Sequence, residues 1–474
     1  MRRFLVLSLV TIATGCVIGI VTLADASQTI EGPTVSRFGY SMTAGYDKNV
    51  NDVEVDYAIG APITGKVYLF DHDTVAADST VDETQATVFT GAAGGEAGWS
   101  LAAGNVISGA WYDLAIGAPS EQAGKGRIYI EEGGKMAANI NATGYTILTG
   151  ENANDYAGWS LATGDINADG RPDLVVGACG YSGYKGRVYV MYGPIAKGNK
   201  SLSTANIKIT GDQVGGSFGC AVATADINDD GRDEIVTSSY QENFGGAGTL
   251  YVIWNPPAGA SAITALTTSR IQGDYFGENL GFSLATGDVN GDAYDDILVG
   301  APFRHCALHD VYPRVAGGDD CLLDIPGTAY VVLGGADRRG VHAISSAAMM
   351  EAEYDIKYTG NAGEDLVGMA VTFGDFNNDS YDEIVIGSGI HQTYVFQGLS
   401  TSGAVKQTLF TNGAIATING SADARYAGLQ LGRLGDVNAD GYEDLAVSAP
   451  GQLWYEDGAQ RVEGELFFFH GGSM

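Results

Sequence analysis

Residues 158–193 read GWSLATGDINADGRPDLVVGACGYSGYKGRVYVMYG. Three apolar runs of about five residues, rich in Val, Ile and Tyr and parted by Gly and Asp turns, have strand length and strand composition. Leu174-Val175-Val176 is apolar throughout, as in a strand buried on both faces. A fourth apolar segment ending in Gly follows after a variable stretch. The opening phrase recurs along the chain as Phe38-Gly39-Tyr40-Ser41, Gly98-Trp99-Ser100, Gly158-Trp159-Ser160, Phe218-Gly219-Cys220, Gly281-Phe282-Ser283, Gly368-Met369-Ala370 and Gly428-Leu429-Gln430. The phrase glycines stand 59, 60, 61, 62, 87 and 60 residues apart, so the fifth unit carries a long insertion. Seven units of four strands describe an all-β, seven-bladed β-propeller of antiparallel blades, whose radial repetition leaves only short edges.

The chain ends bear on how such a ring closes. The last unit stops at its third strand, Glu465–Phe469, while Gln28-Thr29-Ile30-Glu31-Gly32 has the form of a fourth strand and matches Ile147-Leu148-Thr149-Gly150 and Ile418-Asn419-Gly420. The N-terminal strand is therefore expected to complete blade seven, since the ring would otherwise keep an open edge.

Arg2 and Arg3, the uncharged run Phe4–Ala24 and the sequence Ala24-Asp25-Ala26 resemble a secretory signal peptide cleaved after Ala26. This divides the chain into a leader, 1–26, and a propeller, 27–474, with a loop insertion at 303–326. The same run has the length of an uncleaved anchor, and Thr14-Gly15-Cys16 resembles a lipoprotein processing site. Each reading exports the remainder, which makes its cysteines disulfide candidates, Cys306 with Cys321 first.

Composition narrows the function. With 25 Lys and Arg against 57 Asp and Glu, the net charge of −32 excludes a phosphate-backbone partner. The 69 glycines beside 45% hydrophobic residues exclude disorder and argue against helical repeats.

Much of the negative charge sits in five nine-residue loops between the first and second strands: DINADGRPD, DINDDGRDE, DVNGDAYDD, DFNNDSYDE and DVNADGYED. Positions one, three, five and nine carry oxygen. They are Asp165, Asn167, Asp169 and Asp173; Asp226, Asn228, Asp230 and Glu234; Asp288, Asn290, Asp292 and Asp296; Asp375, Asn377, Asp379 and Glu383; and Asp436, Asn438, Asp440 and Asp444. Arg171, Arg232, Tyr294, Tyr381 and Tyr442 at position seven offer backbone carbonyls. This spacing suits a hard cation with six to eight oxygen ligands, so about five structural Ca²⁺ sites are expected; Mg²⁺ wants a stricter octahedron and Zn²⁺ wants His or Cys. The plain alternative is a set of solvated turns. Position six favours a positive φ and is Gly170, Gly231 and Gly441 in three loops, but Ala293 and Ser380 in the others, where a weaker site or a different turn is expected. Unit two, NVISGAWYD from Asn105, has lost the pattern, and unit one is stretched between Asp47 and Asp56.

Phe38-Gly39 together with Gly60-Ala61-Pro62, Gly117-Ala118-Pro119 and Gly300-Ala301-Pro302 resembles the FG-GAP repeats that build the N-terminal seven-bladed propeller of integrin alpha chains. The similarity covers almost all of residues 27–474. It implies calcium loops on one face, ligand-binding loops on the other, and extracellular recognition. The resemblance is to the propeller alone, without stalk domains, a C-terminal membrane span or an inserted magnesium-binding domain, so heterodimer formation and signalling are not expected to carry over.

Gly-x-Ser begins strand one and Gly-Ala-Pro ends strand two, so antiparallel pairing puts both on the face away from the acidic loops. That face collects the insertion Phe303–Pro326, with Arg304, His305, His309, Tyr312, Arg314, Asp319 and Asp320 around its two cysteines, and the loop 451–464 with Trp454 and Tyr455. Cys179 and Cys220 belong there too, on neighbouring blades, as a candidate second bridge. A stapled loop is a binding candidate, with a tolerated surface insertion and a zinc site at His305, His309 and the cysteines as alternatives. Trp99 and Trp159 share their slot with Tyr40, Phe282 and Met369, which favours packing between blades over sugar stacking. No nucleophile elbow or His-Glu-x-x-His is present, and Ser182-x-x-Lys185 is a lone match. The expected partner is an extracellular protein or glycan, with no nucleic acid and a membrane only through an N-terminal anchor. A secreted propeller enzyme acting on polysaccharide or ester substrates and a structural surface-layer component are the alternatives. Asn141, Asn199, Asn378 and Asn419 begin N-glycosylation acceptor sequences.

Overall fold

The computed structural model describes residues 19–22, 26, 28–31, 33, 36–46, 56–70, 80–82, 86–107, 109, 111–134, 140–141, 145–242, 246–273, 277–303, 326–336, 355–360, 366–389, 392–399, 407–419, 428–437, 440–449 and 465–472. They form seven sheets, one for each repeat, arranged as the blades of a propeller. In blade three the strands from the inside outward are Ser160–Gly164, Asp173–Ala178, Arg187–Met191 and Ile207–Thr210, all antiparallel. The register Ser160↔Gly177 and Gly164↔Asp173 puts the phrase serine and the Gly-Ala-Pro position at one end, and the acidic loop at the other.

Burial follows strand position. Every residue of the second strands Asp56–Ala61, Asp113–Ala118, Asp173–Ala178 and Asp296–Ala301 is buried, because a blade lies against each side. The fourth strands alternate, as in Thr146–Thr149 and Ile207–Thr210, since one side reaches solvent. The apolar clusters lie between blades: Ile128, Ile130 and Leu148 of blade two pack with Leu174, Val176 and Tyr189 of blade three.

Blade seven closes the ring as the sequence predicts. Gln28–Glu31 pairs antiparallel with Glu465–Phe469, in the register Thr29↔Phe467 and Ile30↔Leu466. Ile30 is fully buried in a cluster with Tyr57, Phe70, Leu466 and Phe468, so apolar packing reinforces the backbone ladder.

The blades differ from the four-stranded expectation, because among the described residues six of the seven sheets hold a fifth strand. The connection from the third to the fourth strand reaches back to the preceding blade and adds a short parallel strand to its outer edge. Ile140–Asn141 lies on blade one, Asn199–Ser201 on blade two, Gly259–Ala262 on blade three, Gln407–Phe410 on blade five and Thr80–Asp82 on blade seven. On blade six the place is taken by Gly19–Thr22, paired with Ala416–Asn419. Cleavage after Ala26 would remove that strand from the mature chain. The added strands occupy edges that would otherwise present unpaired N–H and C=O groups. Among the described residues no helix is long and apolar enough to cross a membrane.

The repeat glycines mark where blades touch. A Cβ placed on Gly60, Gly117, Gly177, Gly300 or Gly387 would lie 2.0–2.2 Å from the carbonyl oxygen of the next blade's phrase glycine: Gly98, Gly158, Gly219, Gly368 or Gly428. The phrase serines fasten the same oxygens. Ser41, Ser100, Ser160 and Ser283 donate from Oγ to the carbonyls of Gly98, Gly158, Gly219 and Gly368 at 2.7, 2.8, 2.9 and 2.9 Å. Blade four has Ala221 at that position, and Ser238 of its second strand donates to Gly281 instead, at 2.6 Å.

Gly177→Ala is expected to lower unfolding stability by about 1–3 kcal/mol through overpacking of the blade seam. Gly413→Ala, with nothing within 4 Å of the added methyl, is the neutral control in the same urea titration.

Glu131, 5% exposed, has an Oε2 without a hydrogen-bond partner, and burial pushes its carboxyl up to about 8. The folded chain thus binds this proton more tightly than the unfolded chain, so the Glu131 contribution falls as pH rises from the ordinary glutamate range to about 8 and is level above that. Glu131→Gln should flatten stability across that window, by about 1.4 kcal/mol per pH unit, and raise it at pH 8. Urea unfolding at several pH values measures it.

Candidate metal loops and the opposite face

The five acidic loops fold alike. The position-one carboxylate accepts from the backbone N–H of position five through one oxygen and of position six through the other. These distances are 3.0 and 2.7 Å at Asp165, 3.0 and 2.8 Å at Asp226, 3.1 and 2.9 Å at Asp288, 3.0 and 3.0 Å at Asp375, and 3.0 and 2.8 Å at Asp436. Position six has a positive φ in every loop, including Ala293 at 68° and Ser380 at 71°. The expectation of a different turn at these two is therefore corrected: the position-one carboxylate holds the turn whatever residue stands at position six. Asn438 lies outside the described residues, as do 47–55 of the stretched loop in unit one.

Position nine is buried and anchors the strand ends. Asp173, Asp296 and Asp444 each accept from the N–H of position two, at 3.1, 2.9 and 2.9 Å, and from an N–H just beyond strand three, at 2.8, 2.7 and 3.0 Å. Asp113 of blade two keeps an equivalent pair, to Ile107 and Gly133, although its loop has lost the acidic pattern. This carboxylate therefore has a structural use independent of any ion. Burial first, and then the charges of the same loop, push Asp173 up to about 7 and Glu234, Asp296 and Glu383 up to about 8.

Among the described residues no three His, Cys, Asp or Glu side chains converge into a ready cluster. The loops nevertheless fit a cation in two respects. Glu234 Oε1 and Asn377 Oδ1, at positions nine and three, are buried without a hydrogen-bond partner. The charges of Asp165 and Asp169 disfavour ionisation of Asp173, a repulsion that a cation would relieve.

Position eight, which the nine-residue pattern leaves unassigned, links the loops around the ring. Asp233, Asp295, Asp382 and Glu443 accept from the backbone N–H of position one in the preceding blade: Asp165, Asp226, Asp288 and Asp375, at 2.7, 2.9, 3.1 and 2.9 Å. In the first three pairs the position-eight N–H also donates to the position-one carbonyl, at 3.0, 3.3 and 3.0 Å. Arg433 joins Asp382 and Glu443 by ion pairs of 3.2 and 2.7 Å. Blade three has Pro172 at this position, so the clamp starts at the junction of blades three and four. An acidic hollow of about 400 Å³ lies among these groups, lined by Asp288, Asp375, Asp382, Arg433 and Glu443.

On the opposite face the residues after the phrase glycines line the inner strands. Tyr40, Trp99 and Trp159 pack in series as tilted rings, with centroids 4.7 and 4.5 Å apart, which bears out packing between blades, and all three remain half-buried. Phe282 packs against Tyr240 and Phe303. A cleft of about 420 Å³ opens between the turns 152–155 and 180–184, with Tyr184 and Val214 exposed beside it at 48% and 73%. Cys179 and Cys220 lie here as neighbouring free thiols, so their expected proximity is present without a bond between them. Arg304, His305, Cys306, His309, Tyr312, Arg314, Asp319, Asp320, Cys321, Trp454 and Tyr455 lie outside the described residues.

Comparison with known proteins matches the FG-GAP repeat to residues 157–191, 218–253, 280–312 and 432–462. Phosphatidylinositol-glycan-specific phospholipase D of Bos taurus is 36% identical over 157 residues, 31% of this chain and 18% of that protein. Integrin alpha-PS2 of Drosophila melanogaster is 30% identical over 217 residues, covering 43% and 15%, and integrin alpha-4 of Xenopus laevis 29% over 262 residues, covering 52% and 24%. In each case the match spans less than a quarter of the relative's own length.

Asp295→Ala should leave the Asp226 N–H without its partner and cost about 1–3 kcal/mol of unfolding stability. Asp295→Asn keeps an acceptor and should lose less. Denaturant titration of both variants tests the clamp, and an alanine variant as stable as the parent would remove it.

Proposed function

We propose that this chain, an FG-GAP repeat protein folded as a seven-bladed propeller, is an exported calcium-binding module for extracellular recognition or adhesion, with a protein or glycan ligand. The observation that carries the reading is the division of labour between faces. One face is a ring of acidic loops clamped to one another; the other holds the half-buried aromatic series Tyr40, Trp99 and Trp159, the cleft beside Tyr184, and the ends of the longest insertion. A rigid disc with its irregular loops gathered on one side is suited to presenting a binding surface.

Calcium is assigned to the five loops that begin at Asp165, Asp226, Asp288, Asp375 and Asp436, through positions one, three and five, the position-seven carbonyl and position nine. Bound there, the ion supplies positive charge among crowded carboxylates and stabilises the folded state by mass action. The leader supports export, and Cys306 with Cys321 is proposed to staple the insertion. A second reading, a secreted enzyme acting on polysaccharide or ester substrates, draws its support from the similarity to phosphatidylinositol-glycan-specific phospholipase D.

The test is an array of glycans and matrix proteins probed with the exported chain, with calcium and with chelator, beside a variant lacking 303–326. Saturable binding that falls at least tenfold on chelation, or about 1.4 kcal/mol, is expected, with further loss in the deletion variant. A folded, calcium-loaded chain that binds nothing contradicts the recognition reading, and turnover of a glycan or ester would favour the enzyme.

A further inference from the structure

We propose that Cys179 and Cys220 form a dithiol that closes, by thiol–disulfide exchange, into a covalent staple across the seam between blades three and four. Both residues depart from the repeat at one point. Cys179 stands where Pro62, Pro119 and Pro302 complete the Gly-Ala-Pro sequence, and Cys220 fills the slot held elsewhere by Tyr40, Trp99, Trp159 and Phe282. The seam fixes their approach. A Cβ on Gly177 would lie 2.0 Å from the Gly219 carbonyl oxygen, which Ser160 Oγ also holds at 2.9 Å. Cys179 therefore emerges two residues beyond one side of a backbone contact, and Cys220 directly beside the other. The two thiols are therefore neighbours across the seam, each within the other's electrostatic reach, as the convergence required for a disulfide demands.

The two residues differ in exposure. Cys179 is 2% exposed, whereas Cys220 is half-buried, with Ser217 and Tyr240 as its other neighbours. The Cys220 thiolate attacks one sulfur of a small-molecule disulfide such as oxidised glutathione, and the S–S bond breaks. One glutathione leaves as thiolate and takes up the proton that Cys220 released. The Cys179 thiolate then attacks the Cys220 sulfur and displaces the second glutathione. The two protein thiols lose two electrons and two protons, and one glutathione disulfide becomes two glutathiones. Burial and the neighbouring Cys179 push the Cys220 thiol up, so closure is slow at neutral pH and faster in alkali.

The full chain is purified reduced, equilibrated with oxidised glutathione at about pH 8.5, digested without reductant and mapped by mass spectrometry. The expected product includes a linked pair of peptides bearing Cys179 and Cys220, lighter by two hydrogens and distinct from any Cys306–Cys321 pair, with the thermal midpoint a few degrees higher than that of Cys179→Ser treated alike. In Cys179→Ser, Cys220 should keep one glutathione; in Cys220→Ser, buried Cys179 should stay free. A folded wild-type chain in which both thiols remain free, or in which Cys220 keeps its glutathione as it does in Cys179→Ser, overturns the proposal.

Discussion

The propeller depends on the close approach of neighbouring blades at paired glycines. At five junctions the second strand of one blade meets the phrase-glycine carbonyl of the next at a distance that excludes any Cβ. The phrase glycines have positive φ, from 82° at Gly39 and Gly219 to 93° at Gly368, which turns that carbonyl toward its neighbour. A serine hydroxyl then ties most of these oxygens to the adjoining blade. The fully buried second strands and the inter-blade apolar clusters follow, because side chains can interdigitate on both flanks only if the backbones of the inner strands come this close.

The acidic face repeats this arrangement with charge. Each position-one carboxylate builds its own turn, the position-nine carboxylates Asp173, Asp296 and Asp444 tie two strand ends together, and each position-eight carboxylate holds the preceding loop. The five loops gather 20 of the 57 Asp and Glu residues, and charge concentrated in this way opposes folding unless counterions or bound cations offset it. Assigning calcium to the loops gives that charge a purpose, since the groups that repel one another without the ion are the ones that would ligate it.

The repeat period, the strand composition and the orphan strand at Gln28–Glu31 made the ring and its closure legible, because each is a local pattern repeated many times. The fifth strands were not legible. Asn199–Ser201 and Gly259–Ala262 are short and polar or small, and their pairing is fixed by where a long connection crosses the previous blade rather than by their own propensity. Of the two expectations for Ala293 and Ser380, a different turn is not what forms, because glycine preference describes the isolated turn, whereas the carboxylates of Asp288 and Asp375 hold it in place. Position eight carried a visible signal, an acid in four of five loops, whose meaning required knowing that the loops of adjacent blades touch.

The most direct measurement is thermal unfolding of the full chain, followed by tryptophan fluorescence across a series of free calcium concentrations. If the acidic loops bind calcium as part of the inter-blade framework, unfolding is one transition whose midpoint climbs with the logarithm of free calcium and falls on chelation. A midpoint that is the same in chelator and in saturating calcium would contradict the assignment and leave the loops as turns held only by their own hydrogen bonds.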